Sequence, residues 1–139
     1  MQIRIFVGGV LRKRHTCTHH IYTSWVDKSI SLEGESLANL VNEVIDASGP
    51  TLVHCRAGIG RTAAFAFSMA IVRRALKGEQ PDLRELAINL RKTRAKAIQS
   101  QKQLQFAYYV SLLALRSRAS PLPAALNEGI ADAAAELLR

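Results

Sequence analysis

Thr51-Leu52-Val53-His54-Cys55-Arg56-Ala57-Gly58-Ile59-Gly60-Arg61-Thr62-Ala63 is the stretch around which the chain is organised. An apolar, β-prone run ends in a cysteine, a loop with two glycines follows, and Arg61 leads into a strongly apolar helical run. At such a strand-to-helix handover the helix dipole and a ring of backbone N–H groups favour anions, and therefore the thiolate of Cys55. The same donors suit a bound phosphate. Gly58 and Gly60 let the backbone turn inward, because glycine tolerates φ > 0 and brings no Cβ into the cavity. Arg61 supplies a planar fork of donors that matches two phosphate oxygens at once. The stretch reads as a nucleophile inside an anion cradle. It is not a Walker A loop, since no Gly-Lys-Ser/Thr follows.

The rest of the composition fits a folded domain around that loop. The 139 residues suit one domain with a real core, and 48% apolar residues argue against disorder. The net charge of +8 suits phosphorylated or acidic partners, equally suits nucleic acid or an anionic membrane, and is also what a generic solvated basic face would give. Neither interleaved aromatics nor a finger motif points to nucleic acid. Only Cys17 and Cys55 are present. A reactive Cys55 must stay reduced, which implies a reducing compartment, cytoplasmic by expectation, and no structural disulfide. No run is long and apolar enough to span a membrane, and the residues from Met1 onward do not read as a signal peptide.

In chain order, Ile3, Ile5 and Val7 alternate with Gln2, Arg4 and Phe6, the pattern of a strand, and Gly8-Gly9 is a turn signal. Leu11-Arg12-Lys13-Arg14 reads as a basic solvated loop, with a second β-prone stretch from His15 to Thr23. His15, Cys17, His19 and His20 show no closed tetrahedral spacing, so no metal site is expected. Leu37, Leu40, Val41, Val44 and Ile45 mark an amphipathic helix that Ser48-Gly49-Pro50 ends. Ala63 to Val72 is apolar almost all round, a helix at the domain centre, with Arg73 and Arg74 near its end and Gly78 as its C′ residue. Pro81 fits the first position of a helix whose stripe is Leu83, Leu86, Ala87 and Leu90. Leu104, Phe106, Tyr108, Val110, Leu112, Leu113 and Leu115 mark another well-buried helix. Ser120-Pro121-Leu122-Pro123 breaks the chain, and a tail with Leu126, Ile130, Ala134 and Leu137 on one side reads as helical. The expected fold is α/β, a central mostly parallel or mixed sheet with packed helices, with the cysteine loop at the carboxyl end of a central strand. Residues 1–118 form the catalytic unit and 119–139 a C-terminal helical tail.

His54-Cys55-Arg56-Ala57-Gly58-Ile59-Gly60-Arg61-Thr62 resembles the His-Cys-five-residues-Arg-Ser/Thr signature of cysteine-dependent protein tyrosine phosphatases. Tyr22-Thr23-Ser24-Trp25-Val26-Asp27-Lys28 resembles that family's mobile acid loop, with Val26 in place of its proline. Leu90-Arg91-Lys92-Thr93-Arg94 and Ile98-Gln99-Ser100-Gln101-Lys102-Gln103 resemble its final catalytic segment, an Arg-rich helix end followed by a glutamine loop.

The resemblance implies a phosphatase that acts on phosphotyrosine proteins or peptides through a phosphocysteine intermediate. Cys55 is then the nucleophile. Arg61 and the loop N–H groups from Arg56, Ala57, Gly58, Ile59 and Gly60 hold the phosphoryl oxygens. Asp27 protonates the leaving oxygen and later takes a proton from water. Gln99 orients that water, and Gln103 falls on the second glutamine position of the substrate site. Thr62 stabilises the departing thiolate, and His54 fixes the loop and helps lower the Cys55 pKa. Arg91 and Arg94 fall on the basic positions behind the cradle. No metal and no cofactor are needed. Val26 frees φ and restores an N–H, so an altered open–closed balance and slower turnover are expected.

The sizeable portion that precedes the acid loop in full-length members has no counterpart here, so the chain resembles roughly the C-terminal half of such a domain, truncated at its N-terminus, or a minimal relative of it. An open pocket and relaxed selectivity for tyrosine are expected. The loop also resembles bacterial effector phosphatases, which implies secretion into a host cell as an alternative location. A module that captures phosphotyrosine without turnover, a weak truncated enzyme, and a phosphatase for inositol phosphates are the other readings. Oligomeric state is open.

Overall fold

The computed structural model describes residues 1–26, 29–31, 33–119 and 124–138. The chain begins with a hairpin of β1 (Gln2–Val7) and β2 (Val10–Thr16), paired antiparallel with a register shift between Ile5 and Phe6. Gly8 and Gly9 make its two-residue turn at φ 57° and 76°. Two successive positive φ values match the right-handed twist of the strands and are open to glycine without strain. The turn is where the sequence predicts it. The basic residues Arg12, Lys13 and Arg14 are not in a loop, however; they lie within β2. Only His15 and Thr16 of the second β-prone stretch are in strand. Cross-strand pairing with β1, invisible in local composition, decides both outcomes. Among the described residues, the hairpin packs on none of the helices.

The body of the molecule is helical: α1 (Gly34–Asp46), α2 (Arg61–Leu76), α3 (Leu83–Thr93), α4 (Gln101–Arg116) and α5 (Ala124–Leu138). α1 buries Leu37, Ala38, Val41 and Val44, an i, i+4, i+7 stripe. α2 is buried nearly all round, with Phe67, Ile71 and Val72 fully enclosed. Its end is a Schellman turn: the Glu79 N–H donates to the Arg74 carbonyl and the Gly78 N–H to Ala75, with Gly78 at φ 76°. α4 lies against α1, α2 and α5, and buries Phe106, Val110 and Leu113. The buried Ser68 hydroxyl of α2 donates to the Ala107 carbonyl of α4 at 2.7 Å, which fixes the relative height of these two helices. Ile130 of α5 joins the same core.

Two expectations are corrected. Pro81 does not open α3; Asp82 is the N-cap, its carboxylate accepting from the N–H groups of Arg84 and Glu85 at 2.9 and 3.0 Å. A side-chain acceptor satisfies the orphan donors of the first turn better than a proline can, and the first helical residue is Leu83, two residues later than expected. Residues 51–54 are irregular, and Leu52 is 90% exposed. Among the described residues the sheet is two-stranded and antiparallel, and does not include them. A strand exists only as a pair, and the hairpin lies elsewhere. Ser120–Pro123, the expected chain break, lie outside the described residues, as does Asp27.

Candidate active site

The fold places the cysteine loop on the N-terminus of α2, a helix buried over most of its surface. Gly60 is the N-cap of α2 and has no side chain to satisfy the first-turn N–H groups. These donors face the loop, where the helix dipole is positive. Gly58 stands at φ 72°, which turns its N–H onto the Cys55 sulfur at 3.2 Å. Cys55 is half-buried and, like Cys17, a free thiol. Partial burial alone pushes its pKa up. The Thr62 side chain and N–H, with the N–H groups of Gly58 and Ala57, pull the other way and prevail, bringing the thiol from 9.0 down to about 7. The buried Thr62 hydroxyl acts by proximity, since in the resting geometry it makes no formed hydrogen bond to a described atom. A short rotation would aim it at the anion.

Arg61 opens α2 and one of its Nη atoms donates to the Trp25 carbonyl at 2.8 Å. Trp25 is well placed to be an anchor. It is buried, its ring meets Phe106 edge-on at 5.2 Å and 74°, and its indole N–H donates to the Ser29 carbonyl at 2.8 Å. The segment that carries Trp25 is thus tied to both the core and the loop arginine. Val26 beside it is exposed.

The glutamine segment closes on the loop from the other side. The Ile98 N–H donates to the Ile59 carbonyl at 2.8 Å. The buried Gln103 accepts from the Gln99 N–H at 3.0 Å through its side-chain oxygen. A Cβ on Gly60 would come within 2.4 Å of Gln99 Oε1 and 3.2 Å of Gln103 Nε2, so both side chains lie directly against the loop. The turn ahead of Gln99 is strained: Lys96 and Ile98 stand at φ 63° and 60°, a region that β-branched residues avoid. The Arg91 guanidinium holds that turn, donating to the carbonyls of Ala97 at 3.1 Å and Ile98 at 3.3 Å. Arg94 instead reaches the loop, donating to the Ala57 carbonyl at 3.1 Å and lying across Gly58, where a Cβ would meet it at 2.9 Å.

The structure therefore brings together Cys55, Ala57, Gly58, Ile59, Gly60, Arg61, Thr62, Gln99 and Gln103. His54 and Arg56 are exposed, and His54 makes no hydrogen bond to the loop among the described residues. The division of labour between Arg91 and Arg94 is not visible in the sequence, where they are only two cations three residues apart. Two open grooves of about 310 and 480 Å³ lie along the glutamine segment; both are lined by Arg91, Ile98 and Gln99, and the second reaches Ile59 of the loop.

A family model for protein-tyrosine phosphatase matches residues 4–113. The chain is 33% identical over 99 residues to tyrosine-protein phosphatase non-receptor type 2 of Mus musculus, covering 67% of this chain and 24% of that protein. It is 32% identical over 102 residues to the Homo sapiens non-receptor type 5 enzyme, covering 68% and 18%. With non-receptor type 20 of Rattus norvegicus the identity is 30% over 119 residues, covering 83% and 28%. The chain thus spans about a quarter of the length of these relatives. No solved structure matches it.

Proposed function

The chain belongs to the protein-tyrosine phosphatase family, and from that premise we propose that it hydrolyses phosphotyrosine in proteins or peptides through a phosphocysteine on Cys55. The observation that carries this reading is the Cys55 thiol drawn down to about 7 by Thr62, Gly58 and Ala57 at the N-terminus of α2. Near neutral pH about half of it is thiolate, the form that attacks. The sulfur attacks phosphorus in line, the S–P bond forms, and the P–O bond to the tyrosyl oxygen breaks. The loop N–H groups from Arg56 to Arg61 and the Arg61 guanidinium stabilise the charge spread over the equatorial oxygens. Asp27 gives its proton to the leaving oxygen and then accepts one from the water that Gln99 orients. That water's oxygen replaces sulfur on phosphorus, and the Thr62 hydroxyl receives the returning thiolate. Gln103 keeps Gln99 against the loop, and His54 supports the loop from outside. The reaction takes no metal and no cofactor in this scheme.

Residues 1–118 serve as the catalytic unit, with 119–139 as an appended helix. The chemistry requires a reducing, cytoplasm-like setting. Acid-quench trapping tests the scheme. Phosphotyrosine peptide labelled on phosphorus should leave acid-stable label on the wild-type chain and none on Cys55→Ser. Label retained by Cys55→Ser would remove Cys55 from the mechanism. One observation favours a second reading, capture without turnover: Arg61 is already committed in part to the Trp25 carbonyl. Saturable phosphopeptide binding with no phosphate release would establish it.

A further inference from the structure

The catalytic reading leaves the Ser29 side chain unused, yet that side chain fastens the segment that carries Asp27. Three bridges between described residues span Asp27 in the sequence, one inside the next. The Tyr22 and Ser31 hydroxyls lie 3.1 Å apart, with Ser31 buried, and the Tyr22 hydroxyl donates to the Glu33 carbonyl at 2.9 Å. Inside that pair the Trp25 indole N–H donates to the Ser29 carbonyl at 2.8 Å. Innermost, the Ser29 hydroxyl donates to the Val26 carbonyl at 2.7 Å, where the Ser29 N–H also arrives at 3.3 Å. The hydroxyl's other acceptor, the Ile30 carbonyl, is farther away at 3.2 Å. Two donors of one residue therefore meet on one carbonyl, and that carbonyl belongs to the planar peptide unit that leads into Asp27.

A proline before Asp27 would hold φ at about −65° through its ring. Val26 has no such constraint, and it is 70% exposed, so packing does not supply one. A serine hydroxyl bonded to the carbonyl three residues back is a local lock on the same stretch of backbone. The lock is itself anchored: Ser29 is held by Trp25, whose ring meets Phe106 in the core and whose carbonyl accepts from Arg61.

We propose that Ser29 is a positioning residue for the general acid: its hydroxyl takes over the constraint that a proline at position 26 would give, and fixes the Val26 end of the Asp27 span relative to Trp25 and Arg61. The proposal rests on the reading of Asp27 as the acid, and its tests keep the two apart.

Ser29→Ala, Ser29→Thr and Val26→Pro, each in the full chain, test it. On a phosphotyrosine peptide, whose leaving oxygen must be protonated, Ser29→Ala should lower kcat/KM about fivefold, the net worth of one hydrogen bond. On an aryl phosphate with an acidic leaving group it should change little. Ser29→Thr keeps the hydroxyl and should retain the rate. Val26→Pro should recover the rate when added to Ser29→Ala and add little by itself, a non-additive pair. The Cys55 alkylation midpoint should stay at about 7 throughout. Tryptic cleavage after Lys28, identified by mass and scaled to cleavage of the unfolded chain, needs no turnover; it should be about fivefold faster in Ser29→Ala and unchanged in Ser29→Thr. Unchanged kcat/KM or unchanged cleavage in Ser29→Ala, an equal fall on both substrates, or a Ser29→Thr variant as slow as Ser29→Ala would overturn the proposal. An Asp27→Asn variant that slows both substrates equally would overturn the acid reading, and the positioning role with it, while the cleavage rate still reads the Ser29 tether by itself.

Discussion

Replacing Thr62 by valine tests how the fold activates its thiol. The substitution keeps the shape and the backbone N–H but removes the hydroxyl, the strongest of the groups that pull the Cys55 pKa down against the effect of burial. A hydrogen bond to a charged group is worth about 1.5–3 kcal/mol when fully formed, and about 1.4 kcal/mol corresponds to one pKa unit. Cys55 is only half-buried, so solvent screens part of this, and a rise of about one unit, from about 7 to about 8, is the expected result. At pH 7 the thiolate fraction then falls from about one half to about one tenth. The rate of alkylation by iodoacetamide, followed against pH in a Cys17→Ser background, reads the midpoint directly. An unchanged midpoint in Thr62→Val would refute the account, because the dipole and the loop N–H groups would then suffice. The same shift links to stability. The folded pKa lies below the unfolded value of 9.0, so stability from this group is complete above pH 9 and is lost as the pH falls through about 7. Chemical denaturation across that window should show the dependence, and Cys55→Ser should remove it.

Gly60→Ala places a methyl against Gln99 Oε1 and should push that side chain aside; cysteine reactivity stays, while hydrolysis of the phosphocysteine slows and stopped-flow traces develop a burst. Gly58→Ala combines a left-handed φ of 72° with a clash at Arg94, so a loss of at least about 1 kcal/mol in denaturant unfolding is expected. Lys96→Gly, at an exposed site with φ 63°, relieves strain and should raise the melting temperature by a few degrees, equivalent to about 0.5–1 kcal/mol. Asp27→Asn should lower kcat on a phosphotyrosine peptide by about 10²–10⁴-fold and much less on an aryl phosphate with an acidic leaving group.

Helix positions were legible because buried stripes have a period: α1, α2 and α4 bury most of the residues their spacing predicts, with Leu40, Ile45, Leu104, Tyr108 and Leu115 partly buried at the edges. The Gly8-Gly9 turn was legible because few residues tolerate two positive φ values in succession. The cysteine loop was legible for the same reason at Gly58, whose φ serves the hydrogen bond to sulfur. What local sequence does not carry is partnership. Arg12, Lys13 and Arg14 read as a loop because nothing local reveals that β1 will pair with them. Val53 and its neighbours read as a strand because composition does not say whether a partner is at hand. Arg91 and Arg94 separate into a turn holder and a loop clasp only once Ile98 takes a left-handed conformation, which no property of isoleucine announces.

Phosphate release from a phosphotyrosine peptide, in reducing buffer with a chelator present, tests the central claim most directly. Release that vanadate abolishes and that Cys55→Ser lacks, from a chain whose Cys55 alkylates with a midpoint of about 7, is the expected result. A folded chain that alkylates at Cys55 with that same midpoint yet releases no phosphate would contradict it.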